Sequence, residues 1–518
     1  MWQLTGILSL FFALQAFISP CLADDDLEKK IKHIIDDPAY KLSRWGILIA
    51  DDKGRPIFER DADRLFIPAS TTKLFSCAAA LIELGPDYRF NTPVYARGTV
   101  IDGVLEGDLI LVASGDLSFG GRNTKTGGLA FVNDDHTYAN ASFGPTGLTP
   151  TNPLFALESL SKQIAKRGIK EIKGEILIDD RLFMVSHGSG SGPNLLSAIV
   201  INDNVIDIVI SPGKNAGDRA EVRMHPETSF IHMDADVETV AEKKENAIMV
   251  QPAGITQFTV RGQIALDSKP LVRIFHIDQM ALFARALFIE SLRRQGIRVH
   301  ASIHKIDLFV PPAQHGHNGM MRVASFESEP LSETIKVTMK VSHNLYASTL
   351  PLLIAAKHDE RTLDQGMIRQ GKILQKLGLP IESLCFASGA GGASADMVTP
   401  RATVQLLKVM SERNEATSYF NALPVLGVDG TLAEVVGPES KARGKVRAKS
   451  GTLAWFDSMN QRMILRSKAL AGVMETTKKS KLFFAFFLND LPLKNEKQAS
   501  SIAKTLGKLC EIVCQYGP

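Results

Sequence analysis

A chain of 518 residues with 45% hydrophobic and 22% charged side chains has ordinary globular composition, and at roughly 100 to 200 residues per domain it has room for two to four. Its net charge of +3 is small for that length and no block of five or six like charges occurs, so nothing in the charge pattern points to nucleic acid or to an electrostatic membrane anchor. Any partner therefore has to be read from sites.

Residues 4–18 form an apolar run that ends in Ser19-Pro20-Cys21-Leu22-Ala23 and then Asp24-Asp25-Asp26. Small residues at 21 and 23 fit a secretory signal peptide over residues 1–23, cleaved after Ala23, and hence a periplasmic or otherwise exported protein. The run is short against the roughly 20 residues of a membrane span. An uncleaved anchor is the second reading, and Pro20 disfavours lipid attachment at Cys21. Cys77, Cys385, Cys510 and Cys514 remain; in an exported chain one or two disulfides are permitted but not required. No metal site is expected, because His315-Gly316-His317 and the His300/His304 pair lack companion ligands.

In the mature chain, residues 27–35 read as a short amphipathic helix, 45–50 as a buried strand and 57–59 as its hairpin partner after the Asp51-Asp52-Lys53-Gly54 turn. Leu74, Ala78, Leu81 and Ile82 recur at helical spacing until Gly85-Pro86 stops them. From 94 to 322 short strands alternate with polar or glycine-rich loops, at 99–111, 171–178, 204–210 and 257–266. Loops 115–128 and 186–192 receive no chemistry from their sequence. Helical periodicity returns in 331–340, 345–356, 365–377 and 403–410. A strand pair near 444–455 and 481–488 precedes a C-terminal helix.

Ile67-Pro68-Ala69-Ser70-Thr71-Thr72-Lys73-Leu74 places a serine and a lysine at i and i+3, on one face of a starting helix, where the amine reaches the hydroxyl as base to nucleophile. The tetrad alone is weak, since Ser-x-x-Lys recurs at Ser159/Lys162, Ser211/Lys214, Ser302/Lys305 and Ser501/Lys504, where solvated faces explain it. Position 70 is distinguished by two further motifs that come after it in the chain, in order: Ser342-His343-Asn344, then Lys449-Ser450-Gly451-Thr452 beside a strand. Lys125-Thr126-Gly127 and Ser458/Asn460 match single motifs but stand out of order.

This ordered trio resembles that of penicillin-binding proteins and class A β-lactamases. With Gly46-Ile47-Leu48-Ile49-Ala50-Asp51, Leu84-Gly85-Pro86-Asp87-Tyr88-Arg89-Phe90, Gly115-Asp116-Leu117 and Gly427-Val428-Asp429-Gly430-Thr431-Leu432, the chain is similar from about residue 40 to 490 to low-molecular-mass class C penicillin-binding proteins. These are the D-alanyl-D-alanine carboxypeptidases/endopeptidases of peptidase family S13. The resemblance implies an α+β fold of the penicilloyl-serine transferase (β-lactamase/transpeptidase-like) type, with helices on a mainly antiparallel sheet. The catalytic domain would comprise 24–93 and 323–518, interrupted by a β-rich insertion, 94–322, of two domains, one nested in the other.

It also implies the chemistry. Ser70 is the nucleophile for the terminal D-Ala-D-Ala bond of peptidoglycan stem peptides and Lys73 its base; Ser342 passes a proton to the leaving amine and Asn344 holds the substrate amide. Lys449, Ser450, Gly451 and Thr452 receive the terminal carboxylate, and the N–H groups of Ser70 and Thr452 form the oxyanion hole. A free lysine with a pKa near about 10.4 is charged at neutral pH, so the site must lower Lys73 through burial and the charge of Lys449. Asp116 is a candidate stem-peptide contact, against an ordinary turn residue. β-Lactam antibiotics are implied as covalent inhibitors, no cofactor is implied, and a homodimer is allowed. Departures from the family pattern are Ser450 for Thr, His343 at the variable middle position, Ser348 where Glu is common, and Ser388-Gly389-Ala390-Gly391-Gly392 as a degraded glycine-rich loop. The competing functions are a β-lactamase-like hydrolase, for which no deacylating Glu stands out, and a non-catalytic peptidoglycan-binding scaffold, which the intact Lys73 disfavours.

Overall fold

The computed structural model describes residues 22–141, 147–304, 316–317, 319–494 and 496–518; the apolar run at 4–18, Lys305 and His315 lie outside them. A five-stranded antiparallel sheet unites the two ends of the chain, in the order Val446–Asp457, Arg462–Glu475, Lys481–Pro492, Arg44–Ala50, Pro56–Arg60. Its inner strands are covered on both sides, which is why Lys481–Pro492 reads as a nearly continuous apolar run. Alternation sends Ile47, Ile49, Phe484 and Phe486 toward the helices Leu22–Ile35 and Glu496–Tyr516, and Leu48, Ala50, Phe483 and Ala485 toward the remaining helices.

On that second face the helix Lys73–Leu84 is buried along its length from Lys73 to Leu81, among Leu331–Lys340, Asn344–Ala356 and Leu363–Lys376. Small side chains at Ala78, Ala79 and Ala80 allow close neighbours all round. Gly85, at φ 92°, ends it with an N–H bond to Leu81 O. This helix places a lysine, its first residue, inside the protein.

Between the two segments that build this sheet lies, in sequence, a six-stranded mixed sheet whose first and last strands, Asn91–Ile101 and Met321–Glu327, pair antiparallel. The chain thus leaves and returns through neighbouring strands, and 94 and 322 fall inside them. The helices Phe155–Lys166 and Met280–Arg294 contact each other and this sheet, where the sequence showed only alternation. Nested in sequence between them are two three-stranded sheets, Glu221–His225/Val205–Ser211/Leu271–His276 and His232–Val240/Gln257–Ala265/Ala247–Gly254, the latter containing a parallel pair.

Three details differ from the sequence-based expectation. Residues 99–111 are a hairpin, Asn91–Ile101 and Val104–Val112, turning at Asp102 and Gly103. Arg462–Glu475 is a long strand inserted between the two expected near the C-terminus. Ser70 lies on a 3-10 turn, Ala69–Thr72, that feeds the α-helix instead of on the helix itself.

Cys77, Cys385, Cys510 and Cys514 are free thiols. Cys510 and Cys514 share the unbroken helix Glu496–Tyr516, and burial pushes the Cys77 thiol up to about 12. Cys77 is therefore packing material beside the site.

Candidate active site

The turn carrying Ser70 is tied down on three sides. Ile67 donates its N–H to Asn489 Oδ1 at 2.7 Å and accepts from Ser467 Oγ at 2.6 Å, fastening the turn to the sheet. Ala69 sits at φ 47°, a conformation that costs a non-glycine residue roughly 1 to 3 kcal/mol unless its surroundings impose it. The surroundings here are glycines: a Cβ on Gly391 would come within 2.0 Å of Ala69 O, and one on Gly451 within 2.6 Å of Pro68 O and 3.1 Å of Ser70 N. The strand Val446–Asp457 reaches Ser70 only because Gly451 has no side chain. Gly451→Ala is expected to push strand and turn apart and slow acylation about a hundredfold, the scale of a misplacement near 1 Å, as measured by stopped-flow labelling with a fluorescent penicillin.

Lys73 is fully buried. Its Nζ lies 2.9 Å from Ser70 Oγ, 2.7 Å from Asn344 Oδ1 and 2.9 Å from Ala390 O. Burial and the neighbouring charge of Lys449 hold its pKa well below the usual lysine value, against a weaker opposing pull from Asp396. A neutral amine has two N–H bonds and one lone pair. The amide and peptide oxygens only accept and take the two N–H bonds, so the lone pair is left facing the Ser70 hydroxyl. The loop 388–392, degraded relative to the family pattern, thus keeps its contact through a backbone carbonyl, which no side-chain change removes.

Lys449 is also fully buried, and its Nζ donates to Ser342 Oγ at 2.9 Å and Ser450 O at 2.7 Å. Burial lowers its pKa to about 7. Ser450 Oγ meets Thr431 Oγ1 at 2.7 Å, and Thr452 Oγ1 accepts from Lys468 Nζ at 2.8 Å. Asn344 donates from Nδ2 to Ser191 O at 2.9 Å, so its carbonyl is turned toward Lys73. A cavity of about 660 Å³ opens on this group, lined by Ser70, Ser342, Asn344, Ser450, Thr452 and Lys468 among others.

Ser70, Lys73, Ser342, Asn344, Lys449, Ser450, Gly451 and Thr452 therefore converge. Asp116 does not, and the expectation of a stem-peptide contact there is corrected. It is buried, closes a tight turn by accepting from Ser118 N and Ser118 Oγ at 3.1 Å each, and is absent from the cavity wall. Burial raises its pKa to about 6. The Lys125-Thr126-Gly127 decoy sits in a polar loop, and Ser458 and Asn460 in the turn after Asp457.

A sequence model of the D-Ala-D-Ala carboxypeptidase 3 (S13) family matches residues 27–509. The chain belongs to that family. This S13 peptidase is 26% identical over 471 residues to a D-alanyl-D-alanine carboxypeptidase of Actinomadura sp. (strain R39), covering 85% of this chain and 80% of the relative. It is 24% identical over 449 residues to D-alanyl-D-alanine carboxypeptidase DacB of Haemophilus influenzae, with 84% and 82% covered. The crystal structure of penicillin binding protein 4 (dacB) from Haemophilus influenzae superposes with a TM-score of 0.69 at 22% identity, over 95% of this chain and 99% of that one. The α+β architecture is thus shared along nearly the whole length.

The S13 chain brings to the site residues that its motifs did not reveal. Tyr138, in the insertion, donates to Ser342 O at 2.6 Å and accepts from Asn344 N at 3.1 Å. Beneath them lies a buried ionic cluster: Asp203 contacts Arg122 at 2.5 Å, His136 at 2.7 Å and the Tyr346 hydroxyl at 2.6 Å, with His343 at 3.4 Å. Asp135, His136 and Asp203 have the mutual spacing of metal ligands, but Arg122 already pairs with both carboxylates and His136 bridges Asp203 to Asp207. A guanidinium at the centre makes the trio an ion-pair network in which a cation would be repelled. Lys468 escaped because its strand went unrecognised; alternation along that strand would have placed it opposite Thr452.

Proposed function

We propose that this S13 peptidase is a serine DD-peptidase that cleaves the terminal D-Ala-D-Ala bond of peptidoglycan stem peptides through an acyl-enzyme on Ser70. The observation that carries the reading is the fully buried Lys73 amine, 2.9 Å from Ser70 Oγ and held by Asn344 Oδ1 at 2.7 Å and Ala390 O at 2.9 Å. Ser70 Oγ attacks the carbonyl carbon of the penultimate D-alanine as Lys73 takes its proton, and the oxyanion faces the N–H groups of Ser70 and Thr452. The C–N bond then breaks. Ser342, bonded to Lys449, delivers a proton to the departing amine and is replenished by the proton that Lys73 took. Water adds to the ester carbonyl, the C–Oγ bond breaks, and Ser70 regains its proton. The terminal carboxylate rests on Ser450 and Thr452, and Lys468 adds a positive charge there. Burial lowers its pKa only to about 8, so the amine stays mostly protonated at neutral pH. Action on cross-links belongs to the same chemistry, since the leaving amine is again that of a D-centre.

A β-lactam presents the same acyl target, which supports covalent inhibition; penicillin binding protein 4 from Haemophilus influenzae was crystallised with a β-lactam. Release of D-alanine from a stem-peptide mimic, absent in Ser70→Ala, tests the reading. No release, with penicillin bound but not turned over, would favour the scaffold, and rapid penicillin turnover the hydrolase of β-lactams.

The pH profile provides a further check. The charge of Lys449 lowers the Lys73 pKa, so Lys449→Met is expected to raise it and move the acidic limb of kcat/KM to higher pH. Above about pH 7, where Lys449 itself becomes neutral, the difference should shrink. For the exported location, which rests on residues 1–23 alone, Edman sequencing of protein from the producing cell is expected to begin at Asp24; a chain beginning at Met1 would mean a retained anchor.

A further inference from the structure

Ser342 is held at φ 62°, a left-handed conformation that a serine keeps only when its surroundings impose it. Its own helix-flanking neighbours supply part of the restraint: His343 N bonds to Thr338 O at 3.0 Å, and Tyr346 N to His343 Nδ1 at 3.4 Å. Two backbone groups remain at the point where the motif enters the helix Asn344–Ala356. One is the Ser342 carbonyl; the other is the Asn344 N–H, among the first four of the helix and without an intrahelical acceptor. The Tyr138 phenol satisfies both, donating at 2.6 Å and accepting at 3.1 Å.

We infer that Tyr138 is a positioning residue for acyl transfer: its phenol fixes Ser342 and Asn344 relative to each other, and so to Lys73 and Lys449. The proposal rests on the DD-peptidase reading of the site. A phenol suits the task because a single oxygen donates and accepts at once. Burial and the charge of Asp135 raise the pKa of Tyr138, so the donor proton is retained across the working range.

The phenol is itself held. It lies on the turn His136–Ala141, where Asp135 Oδ1 accepts from Thr137 N and Thr137 Oγ1, and His136 is pinned between Asp203 and Asp207. In the same segment Asn133 Oδ1 accepts from Gly430 N at 2.8 Å, beside the Thr431 that meets Ser450. Residues 133–138 therefore brace both later motifs against each other. On this account the insertion is part of the machinery that aligns the proton relay, and not an accessory module.

The test is Tyr138→Phe in the full chain, with D-alanine release and Ser70 penicilloylation as separate readouts. Both rates are expected to fall on the order of a hundredfold in kcat, with KM within about twofold, because geometry and not substrate contact is lost. In a Ser342→Ala background the effect is expected to shrink by about tenfold or more. A crystal structure of Tyr138→Phe should show Ser342 out of the left-handed region. An unchanged Ser342 conformation would overturn the inference, as would equal fold losses in both backgrounds or a rise in KM at constant kcat. If the wild type labels with penicillin yet releases no D-alanine, the peptidase reading fails, while the penicilloylation rates and the crystal structure still decide the role of Tyr138.

Discussion

A Lys73→Met variant is expected to acylate about 10³- to 10⁴-fold more slowly than the wild type, the upper range for loss of a general base. Methionine fills most of the volume of the lysine stem and needs no hydration, so the helix Lys73–Leu84 should keep its packing. What disappears is the amine 2.9 Å from Ser70 Oγ. Rapid-quench measurement of fluorescent penicillin incorporation, with circular dichroism as a check on folding, reads the effect. Lys73→Arg should be equally inactive: a guanidinium is always charged and has no lone pair to offer. That result separates loss of the base from loss of a positive charge, since arginine keeps the charge. A charged amine acting only by electrostatics would leave the arginine variant partly active.

The second large effect is on stability. Asp203→Ala is expected to cost about 3 to 5 kcal/mol, the range for breaking a buried ion pair by removing one partner. Burial opposes the charge of Asp203, but Arg122, His343 and His136 outweigh it and hold its carboxyl well below the usual range. Without it the buried Arg122 keeps Asp135, while His136 loses one of its two carboxylates and the Tyr346 hydroxyl its acceptor. Denaturant unfolding followed by tryptophan fluorescence measures the loss. Because Asp203 lies beneath Ser342-His343-Asn344 and not in the cavity, acylation by the folded fraction should fall far less than in Lys73→Met. A loss under about 1 kcal/mol would mean that the cluster is hydrated and contributes little.

The sequence carried the parts of the site that are contiguous in the chain. Ser70 and Lys73 are three apart, Ser342 and Asn344 two, Lys449 to Thr452 unbroken, and their order excluded the decoys. Tyr138 and Asp203 reach the site from distant segments, so no local pattern announces them; Lys468 lies one hairpin beyond Thr452 and went unseen with its strand. The Arg462–Glu475 strand was missed because its hairpin, residues 458–461, turns without glycine or proline. Gln461 supplies the left-handed residue at φ 49° instead. The helices Phe155–Lys166 and Met280–Arg294 sit in a region read as β-rich because short strands dominate its texture. Asp116 shows the converse error: a family-like tripeptide, Gly115-Asp116-Leu117, invited a substrate role for a carboxylate that serves its own turn.

Ser70 as the acylated residue is the claim on which the rest depends. The direct measurement is intact mass followed by proteolytic mapping of the protein treated with benzylpenicillin. One penicilloyl group per chain is expected, on the peptide containing Ser70, with none in Ser70→Ala. An adduct on any other residue, or no adduct in a folded protein, would contradict it.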